Sequence, residues 1–442
     1  MKVAFDPLWL AALPGLVAVG LWALTDLQRF VSFALTAAMI LPMPLAQPGG
    51  TQVALADVLL LFGLGAWLVA GSIRKAAQPW LAGNPFLMPA LVFTGVNGMS
   101  LIWSDSPRST LIFTIQLLEI VVVFPIVFAS IPRNMASVRQ GFVVFILCTC
   151  VLAVFTVKSY GLKGGSGSLT GTAGGTGLNT LNKNVIGSFV AAGLVMSFTL
   201  CIAEARTWPR RAFGLATLIE VAGVVASSSR GSLIGTLVAI LTAGFLLRRG
   251  RLIAVGGAAV LAIGYLTVFG VSQNVDRTTS GSYDSSQVRV YSFRDARRKI
   301  AEDPFLGVGG GAYTDYVSEV GILLPDPNNM FLLTWAEVGI PGMLALLFML
   351  GQYIRILLSV RRLPSEYATP AVTAGCVSLS LFIHFQFDVT WTRGTSTLAF
   401  AMIGVMLAAL RLARDRTRPV DAPVWRPPQP IDVRPSTPRV AA

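Results

Sequence analysis

The feature that most constrains this chain is the repetition of apolar stretches of about 20 residues, joined by short polar or basic connections. An α-helix needs about that many apolar residues to cross the hydrocarbon core of a bilayer. Hydrophobic residues make up 54% of the chain and charged residues 12%. Soluble domains carry about 25% charged residues, so lipid is the solvent that this composition fits. The sequence therefore predicts an all-α polytopic membrane protein.

Apolar stretches that could span the membrane occur along almost the whole chain, and we expect about 12–13 transmembrane helices because some stretches could be re-entrant or merge. The longest contains Pro341, where we expect the helix to break. The candidate spans are Leu8–Thr25, Phe30–Leu45, Val53–Gly71, Pro85–Trp103, Thr110–Ile131, Gly141–Val157, Val185–Ala203, Ala212–Ala226, Ser232–Leu247, Leu252–Gly270, Met330–Val360, Tyr367–Phe387 and Thr395–Leu412.

Basic residues recur in every second connection, which predicts that those connections are cytoplasmic. They are Arg74, Lys75, Arg133, Arg139, Arg206, Arg210, Arg211, Arg248, Arg249, Arg251, Arg361 and Arg362. The expected organisation is an N-terminal set of transmembrane helices (1–270), one large outer loop with short helices (271–329), a C-terminal set (330–412) and a disordered, basic, proline-rich cytoplasmic tail (413–442). The side on which the N-terminus lies stays open.

Composition and motifs argue against several classes of function. The net charge of +13 is spread over short clusters between apolar stretches, without a basic stripe interleaved with aromatics, so no nucleic-acid partner is expected. The chain has four cysteines and one histidine without metal-ligand spacing, so we expect no metal and no other cofactor. Gly307–Gly311 resembles a phosphate-binding loop, but no strand–helix unit surrounds it, and a flexible turn is expected.

One arginine of the outer loop occupies an unexpected position on a predicted helix, Val288–Ala301. At about 100° per residue, Arg289 lies on the face that should pack on the protein, whereas other charged side chains lie opposite it. A structural explanation is that Arg289 extends to the surface or pairs with a carboxylate. A functional explanation is that it binds an anionic ligand. The inner face carries Arg289, Phe293, Ala296 and Ile300, and the outer face carries Arg294, Arg298 and Glu302.

A second arginine, Arg230, lies in the turn Ser227–Gly231 between two apolar spans, at the predicted outer side. Positive charge is not favoured in outer connections, so a purely solvated arginine is the weaker explanation. Arg230 could simply cap the preceding helix. Alternatively, two guanidinium groups at an outer interface would suit a diphosphate, because each guanidinium can bind two phosphate oxygens in a bidentate manner.

Two glutamates, Glu119 and Glu220, lie near the middle of predicted spans. A charged carboxylate at that depth costs about 2.5–3.5 kcal/mol, so such residues are usually paired, protonated or exposed to a cavity. This pair is the main argument for a transporter, although each could equally be a neutral, hydrogen-bonded acid.

Several segments, taken together and in order, resemble the O-antigen ligase and O-antigen or exopolysaccharide polymerase superfamily. The similar segments are Lys183-Asn184-x-x-Gly187, Ser227–Ser232 with its Ser-Arg-Gly, Arg289 followed by Pro304–Gly311, Asn329–Leu332 followed by Glu337, Gly339 and Gly342, and the pair His384 and Asp388. The resemblance covers most of the chain from Lys183 onward.

The resemblance implies a metal-independent, inverting transfer of a glycan from an undecaprenyl-diphosphate donor to a sugar hydroxyl, at the periplasmic face of a bacterial inner membrane. It implies that Arg230 and Arg289 hold the diphosphate. The catalytic candidates are Arg230, Arg289, Asp326, Asn328 and His384. The substrate-binding candidates are Lys183, Asn184, Arg277, Asn329 and Glu337.

The chain departs from the family pattern at two positions, because Asn328 and Asn182 stand where members of the family often have histidine. An asparagine cannot accept a proton at neutral pH, so the family's general base does not carry over. Asp326 or His384 could replace it, or Asn328 could only orient the acceptor.

Our first hypothesis is therefore a polymerase of lipid-linked repeat units, and the nearest alternative is a ligase that transfers glycan to lipid A-core. A polysaccharide transporter or flippase is a third hypothesis, and a structural scaffold a fourth. The expected partners are an undecaprenyl-diphosphate-linked glycan, an acceptor glycan and membrane lipid, with chain-length regulators and export proteins as further candidates.

Overall fold

The computed structural model describes residues 44–46, 53–54, 65, 83–160, 183–247, 250–276, 285–319, 327–388 and 394–417. The first predicted span, Leu8–Thr25, and most of the next two lie outside the described residues. Two short antiparallel strands, β1 (Pro44–Ala46) and β2 (Val53–Ala54), are described where one of these spans was predicted to end and the next to begin.

The other secondary structure in the described residues is helical, and every helix except Ser285–Glu302 and Tyr313–Glu319 falls on a predicted apolar stretch. In chain order they are α1 (Leu87–Met99), α2 (Pro107–Leu117), α3 (Phe124–Ser130), α4 (Met135–Tyr160), α5 (Lys183–Ala203), α6 (Thr207–Ser227), α7 (Arg230–Leu247), α8 (Arg251–Asp276), α9 (Ser285–Glu302), α10 (Tyr313–Glu319), α11 (Met330–Ser359), α12 (Ser365–His384) and α13 (Thr395–Thr417). A 3-10 turn, Ser100–Ile102, follows α1, a second one, Val360–Arg362, follows α11, and a π-helical segment, Leu118–Val123, joins α2 to α3.

Among the described residues, 7 helices are long and apolar enough to cross a membrane. They are Pro107–Ser130, Met135–Lys158, Asn184–Ala203, Arg230–Leu247, Met330–Arg362, Ser365–His384 and Thr395–Arg416, and shorter apolar helices are Leu87–Ile102 and Arg251–Gly264. These helices confirm the prediction of an all-α polytopic membrane protein. The total of about 12–13 spans stays a prediction.

Three helices form the centre of the bundle. In α5, α12 and α13 the most apolar window is 83% buried inside the protein, against 33% in α4. The central helix α12 packs against α5, α7 and α13, and α5 also packs against α6. The outer surfaces of the peripheral helices carry large exposed apolar side chains such as Leu147 and Leu218, as expected of surfaces that face lipid.

The tail departs slightly from its prediction, because α13 continues to Thr417 and includes the first residues of the segment predicted to be disordered. Arg414 and Arg416 lie in its last turn, where cations are favoured by the helix dipole, and Arg416 also pairs with Glu366. Pro419 follows closely, and a residue before proline disfavours helix. The remainder, 418–442, lies outside the described residues.

Helix α11 is broken at Gly339, two residues before the proline where a break was predicted. Gly339 has φ 65° and ψ −159°, which are not helical values. Because Pro341 has no N–H, the carbonyl of Glu337 loses its helical partner. The N–H of Ile340 turns away from Ala336 and donates to the carbonyl of Pro304 (3.1 Å). Two backbone carbonyls of α11 are therefore released inside the protein.

The glycine-rich loop 304–311 supplies the partners that these carbonyls need. Val308 N–H donates to the Ala336 carbonyl (3.1 Å), and Gly309 N–H donates to the Glu337 carbonyl (2.7 Å). Gly310 N–H donates to Oγ of Ser100 (2.9 Å). The loop is therefore fixed between α11 and the end of α1, and the prediction of a flexible turn is wrong. Buried backbone groups that lack water need such partners.

Candidate functional site

The turn between α6 and α7 contains only Ser228 and Ser229. Ser228 adopts the left-handed conformation (φ 54°, ψ 22°), and its N–H donates to the Val225 carbonyl, which ends α6. Arg230 is the first residue of α7, and it is exposed. The positive end of a helix dipole attracts anions and repels cations, so a cation at this position favours an anionic ligand beside it.

The serine turn, which we define as residues 227–232, is held by close contacts with two neighbouring helices. A Cβ atom on Gly187 of α5 would lie 2.7 Å from Oγ of Ser227, and one on Gly231 would lie 2.8 Å from Nδ1 of His384 in α12. Only glycine allows approaches this close. The predicted segment Lys183–Gly187 therefore starts α5 directly beside the serine turn. Within this segment Asn184 is half-buried.

Three buried polar side chains form a row from the serine turn to the end of α12. Oγ of Ser232 lies 3.3 Å from Nδ1 of His384, and Nε2 of His384 lies 3.2 Å from Oδ2 of Asp388. Their exposed fractions are 0%, 3% and 6%. Ser232 also donates to Oγ of Ser229 (2.9 Å), so the row continues back into the turn. Both ring nitrogens of His384 are thus engaged inside the protein.

The asparagine pair before α11 meets the residues that follow His384. Oδ1 of Asn329 accepts hydrogen bonds from the N–H groups of Phe331 and Leu332 (both 3.0 Å) and so caps α11. Its Nδ2 donates to the Gln386 carbonyl (3.3 Å). The neighbouring Asn328 is half-buried and has a left-handed backbone (φ 50°), which asparagine tolerates better than most residues.

Arg289 lies on α9, which covers the predicted Val288–Ala301 and extends it at both ends. The helix buries Ser292 (2% exposed) and Ala296 (0%), and Arg289 on the same side is half-buried. Arg294 and Arg298 are exposed on the opposite side, as the periodicity predicts. The buried side packs against α11 in a small apolar cluster with Val308, Tyr313, Leu333 and Ala336.

These contacts connect most of the predicted site residues. Arg230 adjoins Gly231, which lies against His384, and the residues that follow His384 bind the start of α11. The same end of α11 packs on α9, which carries Arg289. Glu337 is buried (4% exposed) at the break in α11. Arg277 and Asp326 lie outside the described residues.

Sequence reasoning missed Ser232 and Gln386 as members of this region. For Ser232 the sequence contains a signal of close helix packing. Gly231 and Gly235 are four residues apart on α7, as Ser380 and His384 are on α12. A Cβ atom on Gly235 would lie 2.3 Å from the Ser380 carbonyl oxygen, so the two pairs meet in antiparallel register. Small residues four apart are typical of helices that approach closely in membranes. Gln386 contributes only a backbone carbonyl, which no sequence pattern reports.

The two intramembrane glutamates have different surroundings. Glu220 of α6 is fully buried (0% exposed), and its two carboxyl oxygens accept hydrogen bonds from Thr149 and Ser197, both at 2.6 Å. These contacts join α4, α5 and α6, so Glu220 closes a helix interface and has no contact with solvent. Glu119 lies half-buried in the π-helical segment. In the described part of the chain, no group of three or more His, Cys, Asp or Glu residues could hold a metal ion.

The described helices define a polytopic helical membrane protein. In a comparison with family models, the model described as O-Antigen ligase matches residues 213–347 of this chain. This segment runs from α6 to the middle of α11 and contains Arg230, Arg277, Arg289, Asp326, Asn328, Asn329 and Glu337. The match confirms the resemblance to the O-antigen ligase and polymerase superfamily, and supports glycan transfer of the ligase or polymerase type in general. A comparison with curated proteins finds no match.

Proposed function

We propose that this protein polymerises undecaprenyl-diphosphate-linked oligosaccharide repeat units at the periplasmic face of a bacterial inner membrane. The observation that carries the proposal is Arg230, an exposed cation at the N-terminus of α7 in a turn held by α5 and α12. A guanidinium at the positive end of a helix dipole is well suited to phosphate oxygens.

The reaction needs charge stabilisation more than acid catalysis, because a diphosphate is already a good leaving group. The acceptor hydroxyl oxygen bonds to the anomeric carbon of the donor, and the bond from that carbon to the diphosphate oxygen breaks. Its electron pair leaves with the diphosphate, where Arg230 and Arg289 stabilise the developing charge. The configuration at the anomeric carbon inverts, and no metal ion is required in this scheme.

In this proposal the segment before α11 binds the acceptor sugar. Asn328 can orient a sugar hydroxyl but cannot take its proton, and Asn329 already uses its side chain to cap α11. Asp326, two residues before Asn328, is the carboxylate that could accept the proton. Lys183 and Asn184, at the start of α5 beside the serine turn, are placed on the donor side, and Arg277 and Glu337 remain further substrate-binding candidates.

The proposal is tested with purified protein in lipid nanodiscs and with lipid-linked repeat units extracted from a strain that lacks the protein. Product length is read on polysaccharide gels. We expect Arg230→Ala and Arg289→Ala each to lower the polymerisation rate about 100-fold or more, as loss of a group that stabilises transition-state charge does. Arg294→Ala is the matched control, since Arg294 lies on the exposed side of α9. Long polymer formed by both variants would overturn the proposal.

A ligase is the second candidate, and the match to the O-Antigen ligase family model favours it. In this case the acceptor is lipid A-core and not a second lipid-linked unit. Supplying the two acceptors in separate reactions discriminates the functions: transfer to lipid A-core alone indicates a ligase, and lengthening of the lipid-linked chain alone indicates a polymerase. Chain-length regulators and export proteins are proposed partners only if the protein is a polymerase.

A further inference from the structure

His384 was a candidate for the general base, and its surroundings point to a different role. Its side chain is 3% exposed, and the nitrogens of its ring face Ser232 on one side and Asp388 on the other. A general base must reach the proton that it removes, directly or through one water molecule. With both nitrogens engaged within the bundle, His384 presents no lone pair to an acceptor sugar.

Two contacts of His384 lead to the turn that carries Arg230. Gly231 packs directly against the imidazole, and Ser232 connects the imidazole to Ser229 on the far side of Arg230. An acceptor carboxylate on one ring nitrogen fixes the orientation of the other, as it does in ligand-binding histidines. The Asp388 carboxylate therefore determines how His384 meets the serine turn.

We propose that Asp388, His384 and Ser232 form a positioning chain that holds the serine turn against α12. This chain thereby sets the direction in which the Arg230 side chain extends from the start of α7. The inference rests on the proposed function, in which Arg230 binds the donor diphosphate. Its consequence is that damage to the chain weakens headgroup binding and slows the chemical step on bound substrate only moderately, because Arg230 is displaced but still present.

Headgroup binding is measured with undecaprenyl diphosphate as the probe, so that no sugar needs to be known. Ser232→Ala and Asp388→Ala should each weaken binding about 5–20-fold, the effect of one lost buried hydrogen bond. Asp388→Asn keeps an acceptor oxygen for the ring and should stay within about 3-fold of the parent protein. Ser378→Ala is the matched control, because Ser378 is equally buried on α12 but donates to the Ala399 carbonyl of α13.

Turnover at saturating lipid-linked substrate separates positioning from catalysis. We expect Ser232→Ala and Asp388→Ala to lower kcat by no more than about 10-fold, because a displaced Arg230 stabilises the leaving diphosphate less well, whereas removal of a general base lowers kcat about 100-fold or more. Unchanged headgroup binding in both variants, or a large loss of kcat with normal binding, would overturn the inference.

Amide hydrogen exchange supplies a measurement that does not depend on the reaction. Exchange at residues 228–231 should become about 5-fold faster or more in Ser232→Ala and stay unchanged in Ser378→Ala. Weaker binding without faster exchange would also contradict the positioning chain. If the parent protein binds undecaprenyl diphosphate and shows these differences but makes no polymer, the proposed reaction fails and the positioning chain survives.

Discussion

The break in α11 offers the sharpest test of how this bundle is held together, through the substitution Gly339→Ala. A Cβ atom at this position would lie 2.0 Å from the carbonyl oxygen of Phe305, and the backbone has φ 65° with ψ −159°, a region that only glycine adopts freely. The strain of an alanine there costs about 1–3 kcal/mol.

The clash also pushes the glycine-rich loop away from α11. Three backbone hydrogen bonds join the loop to the break, and they involve Pro304, Val308 and Gly309. Each contributes about 0.5–1.5 kcal/mol, so together with the strain the full cost of the substitution is about 2.5–7.5 kcal/mol. Because whole domains are stable by about 5–15 kcal/mol, we expect a markedly lower yield and a clearly lower thermal midpoint.

The assay is thermal unfolding in detergent, followed by the loss of the monodisperse peak on size-exclusion chromatography. Gly351→Ala is the control, because Gly351 lies in the same helix and a Cβ atom there has no neighbour within 4 Å. Alanine is the better helix former by about 1 kcal/mol, so this variant should be neutral or slightly stabilised. A Gly339→Ala protein that melts with the parent would refute the argument that the loop and the break form one unit.

Two further predictions concern charged residues away from the proposed site. Glu220→Gln should retain glycan transfer within about twofold, since the hydroxyls of Thr149 and Ser197 also have backbone carbonyls as hydrogen-bond acceptors. Loss of transfer at a normal protein level would favour the transporter hypothesis. The Arg139 guanidinium holds the pKa of Glu204, in the turn after α5, below its ordinary value of 4.5. A lowered carboxyl pKa stabilises the fold above the unfolded pKa, and this contribution disappears as the pH falls through the folded pKa. Arg139→Gln should therefore lower the thermal midpoint at pH 7, with an effect below about 1 kcal/mol because Arg139 is 46% exposed, and the difference from the parent should shrink as the pH falls below 4.5. A difference that does not shrink at low pH would contradict the assignment.

Helices that depend on local pattern were predictable from the sequence. The apolar stretches of α5, α7 and α12 appear in the structure within a few residues of their predicted bounds, because lipid requires every spanning segment to satisfy its own backbone. The helix α9 was predictable for a related reason, since its buried and exposed sides alternate with helical period.

Features that depend on distant pairs were not predictable in the same way. Ser232 and His384 are 152 residues apart, and their contact depends on which helices become neighbours. The break in α11 was expected at Pro341, but the chain places the strained dihedrals on Gly339, where the loop from Pro304 can bind the released carbonyls. Neither the contact between Ser232 and His384 nor the position of the break produces a periodic pattern in the sequence.

The central position of α12 has a consequence for how the protein is made. Its mean hydropathy is 1.2, against 2.5 for Pro107–Ser130, and it contains Pro370 and ends at His384. Such a segment gives the insertion machinery a weak signal by itself, because each polar group at membrane depth opposes partitioning into lipid. We expect α12 to enter the bilayer together with α11 and α13. The polar end of α12 then reaches its final side of the membrane only after α13 has been synthesised.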